Sequence, residues 1–271
     1  MNRDLRNIHP NAKIGKNVTI APFVTIEEDV VIGDNSQIKA SACIQNGTRM
    51  GEGCKVFPGA IVGSIPQDLK YNGEETTLEI GNNVIIREYC TINIGTNASG
   101  KTVVGDNCLI MAYVHVAHDC IIGANSILAN CVNLAGHIEI GEKSILGGMT
   151  AVHQFVRIGS HSMVSGGSLV RKDVPPYIKA AREPLSYTGV NSIGLRRRGF
   201  SEDQIHNIQD IYRLLYVSGY NTTQAVERIE STFAVTEERD NILTFVRAAD
   251  RGIIRGLRHL YGNRSNGNTP K

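Results

Sequence analysis

The chain has 271 residues, is 41% hydrophobic and carries a net charge of +2. That leaves room for one large domain and a smaller one and gives no global signal for nucleic acid or an anionic membrane. Residues 1–10 lack a cationic start with an apolar core, and no apolar run approaches the roughly 20 residues of a membrane span, so the sequence reads as soluble and cytoplasmic.

From Ile8 to Val170 one beat runs through the chain. Ile8, Ile14, Ile20, Ile26, Ile32, Ile38, Ile44, Met50, Val56 and Val62 stand six residues apart, and the same comb continues to Val164 and Val170. The positions on it that are not Ile, Leu, Val or Met are Asp68, Glu74 and Ala98. The second residue of each hexad is often Gly (Gly33, Gly51, Gly105, Gly123), and the fifth is usually small or β-branched (Ser36, Ala42, Thr48, Cys54). A six-residue period belongs to parallel β-helices. One short strand and one turn make a hexad, and three hexads close a triangular coil of about 18 residues. The comb residue points inward, Gly or Asn near each corner is expected to take the strained turn angles, and coils stack at about 4.8 Å. Cys54, Cys90, Cys108 and Cys120 occupy the inward fifth position, with Cys43 and Cys131 one place to either side. Without a C-x-x-C pair they read as small hydrophobes in a reducing compartment.

The repeat breaks first at 63–78, where Ile65-Pro-Gln-Asp-Leu-Lys-Tyr71 is polar and leads to an Asn-Gly turn. Insertions into a solenoid project from one face and tend to carry function. The second break, 97–101, is a short Asn-Ala-Ser-Gly-Lys loop.

Beyond it, histidines gather. Residues 18 apart should stack, which aligns His118 with Gly136 and Gln154, places His137 and His153 one residue off that column, and sets His115 three residues before His118. Four of the chain's eight histidines thus converge on one edge within about 10 Å. Two chemistries are open to such a cluster. Three imidazoles could hold a catalytic zinc, as in the γ-class carbonic anhydrases. Alternatively one imidazole could act as a general base, with Asp119 to orient it and the backbone N–H of Gly136 near a reacting carbonyl.

Several blocks carry a closer resemblance: His115-Val-Ala-His-Asp119, Leu134-Ala-Gly-His137, Gly148-Met-Thr-Ala-Val-His-Gln-Phe155, Asp173-Val-Pro-Pro-Tyr177, Gly189-Val-Asn191 and Arg197-Arg-Gly-Phe200. Together they resemble the acyl-carrier-protein–UDP-N-acetylglucosamine O-acyltransferases of lipid A biosynthesis, hexapeptide-repeat enzymes. The resemblance implies a left-handed parallel β-helix with a C-terminal α-helical domain. It implies transfer of a 3-hydroxyacyl group to the sugar 3-hydroxyl, and a homotrimer with sites between subunits. It implies no metal and no cofactor beyond the phosphopantetheine of the acyl carrier protein, with acyl carrier protein and UDP-N-acetylglucosamine as partners. By motif, His118 is the general base, Asp119 its orienting partner and Gly136 the oxyanion donor. Gln67, Asp68, Lys70, His115, His137, His153 and Gln154 face the substrates, Asn191 and Arg197 the nucleotide, and Gly166 sets the floor of the acyl groove. Two places depart from the pattern. Asn93 and Ile94 stand where the family often has His-Arg, and Ile193 stands where an acidic residue often follows Gly-Val-Asn. Both fall at sugar or nucleotide contacts of the family, and they leave N-acylation of a 3-amino sugar as the alternative to the 3-hydroxyl acceptor.

The comb ends at Pro175-Pro176, and the β-helix is assigned to 1–178 and a linker to 179–199. Ser201 with Gln204 predicts an N-cap, and Ile205, Ile208, Ile211, Tyr212 and Leu215 follow helical spacing. A second helix is expected from Thr222 or Thr223, a third over 237–249, and a short one through Ile254. The helical domain thus spans 200–262 and caps the solenoid. Residues 263–271 have too little apolar content to fold.

Overall fold

The computed structural model describes residues 5–256; the expected tail at 263–271 lies outside them. Short parallel strands rotate among three faces. The first face runs from Asn7–Ile8 to Leu169–Val170, the second from Lys13–Ile14 to Arg157–Ile158, and the third begins at Thr19–Ile20. Partners in adjacent coils lie 18 residues apart, as in Asn7↔Thr25 and Thr19↔Gln37. Comb residues from Ile26 onward are almost wholly buried, whereas Ile8, Ile14 and Ile20, in the first coil of the described residues, are only partly covered. Each buried Ile or Val contributes about 1.5–3 kcal/mol relative to exposure. The stack is therefore held by many equal increments.

The corners differ from expectation in one respect. Positive φ falls on the fourth residue of the hexad, as at Asn17, Asn35, Asn107 and Asn125, where Asn tolerates the left-handed region. The second-position glycines Gly33, Gly51, Gly105 and Gly123 have no such φ and answer to crowding instead. A Cβ at Gly123 would sit 2.4 Å from the backbone nitrogen of Glu142 in the next coil.

Both excursions are spliced in without disturbing the stack. Ile61 pairs with Thr91, 30 residues on, and Thr91 with His115, 24 residues on. The first loop therefore adds twelve residues to a coil and the second six. The comb keeps phase because both lengths are multiples of six, and Asp68, Glu74 and Ala98 fall in the loops. The buried side chain of Asn93 anchors the first loop, donating through Nδ2 to the carbonyls of Ile65 and Ser64.

The segment expected as a linker is folded. Ile178–Ala181 joins the third face and pairs antiparallel with Ser186–Val190, and helix α1 covers Ser192–Arg197. Helices α2 (Glu202–Tyr216), α3 (Thr222–Thr232) and α4 (Glu237–Arg247) follow. The capping box Ser201–Gln204 is formed, and Asn221 caps α3. Tyr212 is fully buried and donates to the Pro176 carbonyl at 2.6 Å, while Asn241 of α4 donates to the Tyr177 hydroxyl at 3.0 Å. These contacts seat the helices against the last coil. The short helix expected through Ile254 is instead extended chain. Ile254 N–H donates to Asp173, and Arg255–Gly256 adds a parallel strand beside Ser186.

The cysteines among the described residues are unpaired thiols. Burial pushes Cys54 and Cys90 up to about 11 and Cys120 to about 12, so these thiols pack as neutral groups.

Candidate active site

His118 and Asp119 turn the corner after the first-face strand His115–Val116, with Asp119 at φ 60°. That left-handed turn folds the carboxylate back under the imidazole. His118 Nδ1 lies 2.7 Å from Asp119 Oδ2, and both residues are buried. Asp119 accepts further bonds from the Thr96 N–H (2.8 Å), the Thr96 hydroxyl (2.7 Å) and the Ser99 hydroxyl, and its own N–H donates to Thr102 Oγ1 at 2.9 Å. Burial alone would raise this carboxyl; the donors Ser99, Thr96 and His118 outweigh it and bring the group down to about 2. An ionised carboxylate can only accept, so the shared proton sits on Nδ1 and leaves the Nε2 lone pair free for a substrate proton.

Gly136 lies in the next coil over the ring. A Cβ there would sit 2.6 Å from Cε1 and 2.8 Å from Nε2 of His118, so only glycine lets the imidazole occupy its place. The Gly136 carbonyl accepts from Phe155 N–H, while its own N–H donates to no group among the described residues. His137 stands edge-on to His118 with ring centroids 5.0 Å apart, its Nε2 3.7 Å from Asp119 Oδ2, and stacks on Phe155 at 4.6 Å.

The first excursion reaches the same spot. Asp68 Oδ2 lies 3.9 Å from His118 Nε2, and the turn that carries it is closed by Lys70 N–H on Asp68 Oδ1 (3.0 Å). Gln67 and Lys70 flank it, exposed. His115 bonds Thr91 Oγ1 through Nδ1 at 2.8 Å; burial, then the neighbouring His118, lower its pKa and keep it neutral.

The other expected residues do not join this cluster within one chain. His153 is exposed, with Nδ1 3.1 Å from the Gln154 carbonyl, and the two continue the His118 edge two coils on. Asn191 is buried at the second-face corner, donating through Nδ2 to the His161 carbonyl at 2.9 Å, and Arg197 is exposed on α1. His161 beside it is held down to about 4 by burial and by the positive charges of Arg198 and Lys143. Gly166 follows the third-face strand Met163–Val164 and so lies on a third edge. Within one chain His118 and Gly166 stand on different edges, because the two positions differ by eight hexads and not by whole coils. A Cβ at Gly166 would meet the Gly148 carbonyl at 2.9 Å, and Met149 beside it is exposed.

His118, Asp119 and His137 place donor atoms within 4.8 Å of one another, the spacing a metal ion requires. Both Asp119 oxygens already accept two protein hydrogen bonds each, so coordination there would displace formed bonds.

Comparison with known proteins follows the same lines. Residues 173–254 match the UDP N-acetylglucosamine O-acyltransferase domain 2 family, and residues 101–136 the bacterial transferase hexapeptide family. An acyl-[acyl-carrier-protein]–UDP-N-acetylglucosamine O-acyltransferase of Chlorobaculum parvum is 47% identical over 255 residues, spanning 92% of this chain and 97% of the relative. The UDP-N-acetylglucosamine acyltransferase structure from Bacteroides fragilis superposes with a TM-score of 0.91 at 52% identity, covering 94% and 100% of the two chains. The Acinetobacter baumannii structure gives 0.90 at 39%, covering 93% and 99%. The fold is the left-handed parallel β-helix with a C-terminal helical domain, and the chain belongs to the acyl-[acyl-carrier-protein]–UDP-N-acetylglucosamine O-acyltransferase family.

Proposed function

We propose that the chain transfers a 3-hydroxyacyl group from acyl carrier protein to the 3-hydroxyl of UDP-N-acetylglucosamine, the first step of lipid A biosynthesis, with His118 as general base. The observation that carries this reading is the His118–Asp119 pair beneath Gly136. The Nε2 lone pair of His118 takes the hydroxyl proton as the sugar oxygen attacks the thioester carbon. The unclaimed Gly136 N–H meets the charge that develops on the carbonyl oxygen. The C–S bond then breaks, and the phosphopantetheine thiolate recovers the proton from His118. General base assistance of this kind is worth about 10²–10⁴ in rate.

The second part of the reading is a homotrimer acting in the cytoplasm. His118, Asn191 and Gly166 lie on three different edges of one prism. A site that uses all of them needs edges from more than one copy. Sizing coupled to light scattering tests this, and a fully active monomer would refute it.

The chemistry is tested by mass spectrometry of products from a pool of 3-hydroxyacyl carrier proteins offered UDP-N-acetylglucosamine and its 3-amino analogue together. An O-acylated product that falls at least a hundredfold in His118→Ala supports the reading. Acylation of the amino sugar alone would replace the acceptor. Activity lost to chelators and restored by zinc would replace the base with a metal.

A further inference from the structure

The six residues added in the second excursion make contacts that the repeat itself does not supply. Chain that leaves the coil after Gly95 returns at Lys101, and within it Thr96 and Ser99 both turn toward Asp119. Each carboxylate oxygen is used twice. Oδ2 accepts from His118 Nδ1 and from the Thr96 hydroxyl, both at 2.7 Å, while Oδ1 accepts from the Thr96 N–H at 2.8 Å and from the Ser99 hydroxyl.

The hydroxyl rotors are set by their surroundings. Thr96 Oγ1 accepts from Ala98 N–H at 3.2 Å, which turns its one proton toward Asp119. Ser99 Oγ has the Lys101 carbonyl at 2.9 Å and Asp119 Oδ1 as rival acceptors, and the charged oxygen is the stronger. The loop is itself closed by Gly100 N–H on the Thr96 carbonyl at 2.7 Å, with Gly100 at φ 75°. Asp119 is thus gripped from the excursion on one side and bonded to His118 on the other.

We infer that the second excursion is a positioning device for the catalytic base, in which Thr96 and Ser99 hold the Asp119 carboxylate ionised and aligned on His118 Nδ1. This rests on His118 being the base. The other titratable groups facing the pair are Asp68 of the first excursion, His137 in the next coil, and His115 and Cys120 on the same coil; Lys101 is turned away onto Glu79. A carboxylate with four donors shares its charge among them. Stripped of two, it draws harder on the imidazole Nδ1 proton.

The test uses the full-length enzyme with Ser99→Ala, Thr96→Val and the double variant, and Ser99→Thr and Thr96→Ser as conservative controls. Removing an entire orienting carboxylate costs triads about 10⁴ in kcat, so loosening one should cost less. We expect about tenfold in kcat for each single variant and about a hundredfold for the double. KM for both substrates should change less than about twofold, the acid limb of the kcat profile should move to higher pH, and the conservative controls should restore both. A purely structural loop would lower the melting temperature without moving that limb. Parent-like kcat and pH profile in the double variant, with His118→Ala inactive, would overturn the positioning role alone. A His118→Ala enzyme that stays active would overturn the base beneath it.

Discussion

Gly136→Ala isolates the packing that holds the His118 imidazole in place. The new methyl would lie 2.6 Å from Cε1 and 2.8 Å from Nε2 of His118, against ordinary carbon contacts of about 3.5–4.0 Å. The ring must therefore retreat by about 1 Å. Its Nδ1 is tied to Asp119 at 2.7 Å, and the same retreat opens that bond to about 3.7 Å, beyond hydrogen-bonding range. Losing a hydrogen bond to a charged group costs about 1.5–3 kcal/mol, and misplacing a reacting group by 1 Å can cost about 10² in rate. We expect kcat to fall about a hundredfold, measured as initial rates of carrier-thiol release, with the fold unchanged by circular dichroism. Because the methyl acts through the imidazole, Gly136→Ala should cost less than about threefold when added to His118→Ala, a strongly non-additive cycle. A Gly136→Ala enzyme within about threefold of the parent would refute the packing argument. A full hundredfold loss in the His118→Ala background would move the effect from the ring to the Gly136 N–H.

His137→Ala and His153→Ala should each lose less kcat than His118→Ala, since neither shares a proton with Asp119 at hydrogen-bond distance; equal losses in parallel assays would reassign the base. Gly166→Met should shorten the preferred acyl chain by several carbons in a mixed-thioester competition, and an unchanged product profile would remove Gly166 as the ruler. Because burial, Arg198 and Lys143 hold His161 at about 4 when folded against 6.5 unfolded, the unfolded chain binds its proton first. Stability should therefore fall as pH drops from about 6.5 toward 4, and urea midpoints of His161→Gln at pH 7 and 4.5 should lie closer together than the parent's. Equal gaps would show that His161 is not the group responsible.

Much of this was legible from counting. A solenoid has a fixed repeat, so 18-residue spacing places Gly136 over His118 and His137 beside it without any knowledge of side-chain contacts. The same counting fails where the repeat is interrupted. Eighteen residues before Asp119 lies Lys101, whereas the looped-out hexad brings Gly95 and Thr96 beneath the carboxylate, as the Thr91↔His115 register requires. Thr96 and Ser99 were therefore hidden, although a short polar insert in the coil before His115 and His118 was a signal. Phe155, stacked on His137, could have been found by continuing the column from 119 through 137. The hairpin over 178–190 was missed for another reason. Its strands pair with each other and with one sheet edge, and Arg182-Glu-Pro184 reads as plain loop.

The position of His118 within the stack has its own physical logic. A corner residue of a β-helix is fixed from below and above by neighbouring coils, so its side chain direction is set by backbone that cannot shift without disturbing both. His118 has the excursion-bearing coil on one side and Gly136 on the other, with Asp119 and His137 in left-handed conformations that few residues adopt without cost. A regular repeat would offer the same slot at every corner and nothing to distinguish one from the next. The two insertions remove that equivalence. One brings Asp68 to the Nε2 side of the imidazole, and the other brings Thr96 and Ser99 to the carboxylate on the Nδ1 side. Each is spliced in by a whole number of hexads, so the hydrophobic comb resumes in phase and the core keeps its packing. The scaffold can thus gain polar loops at one edge while every inward Ile and Val stays in register.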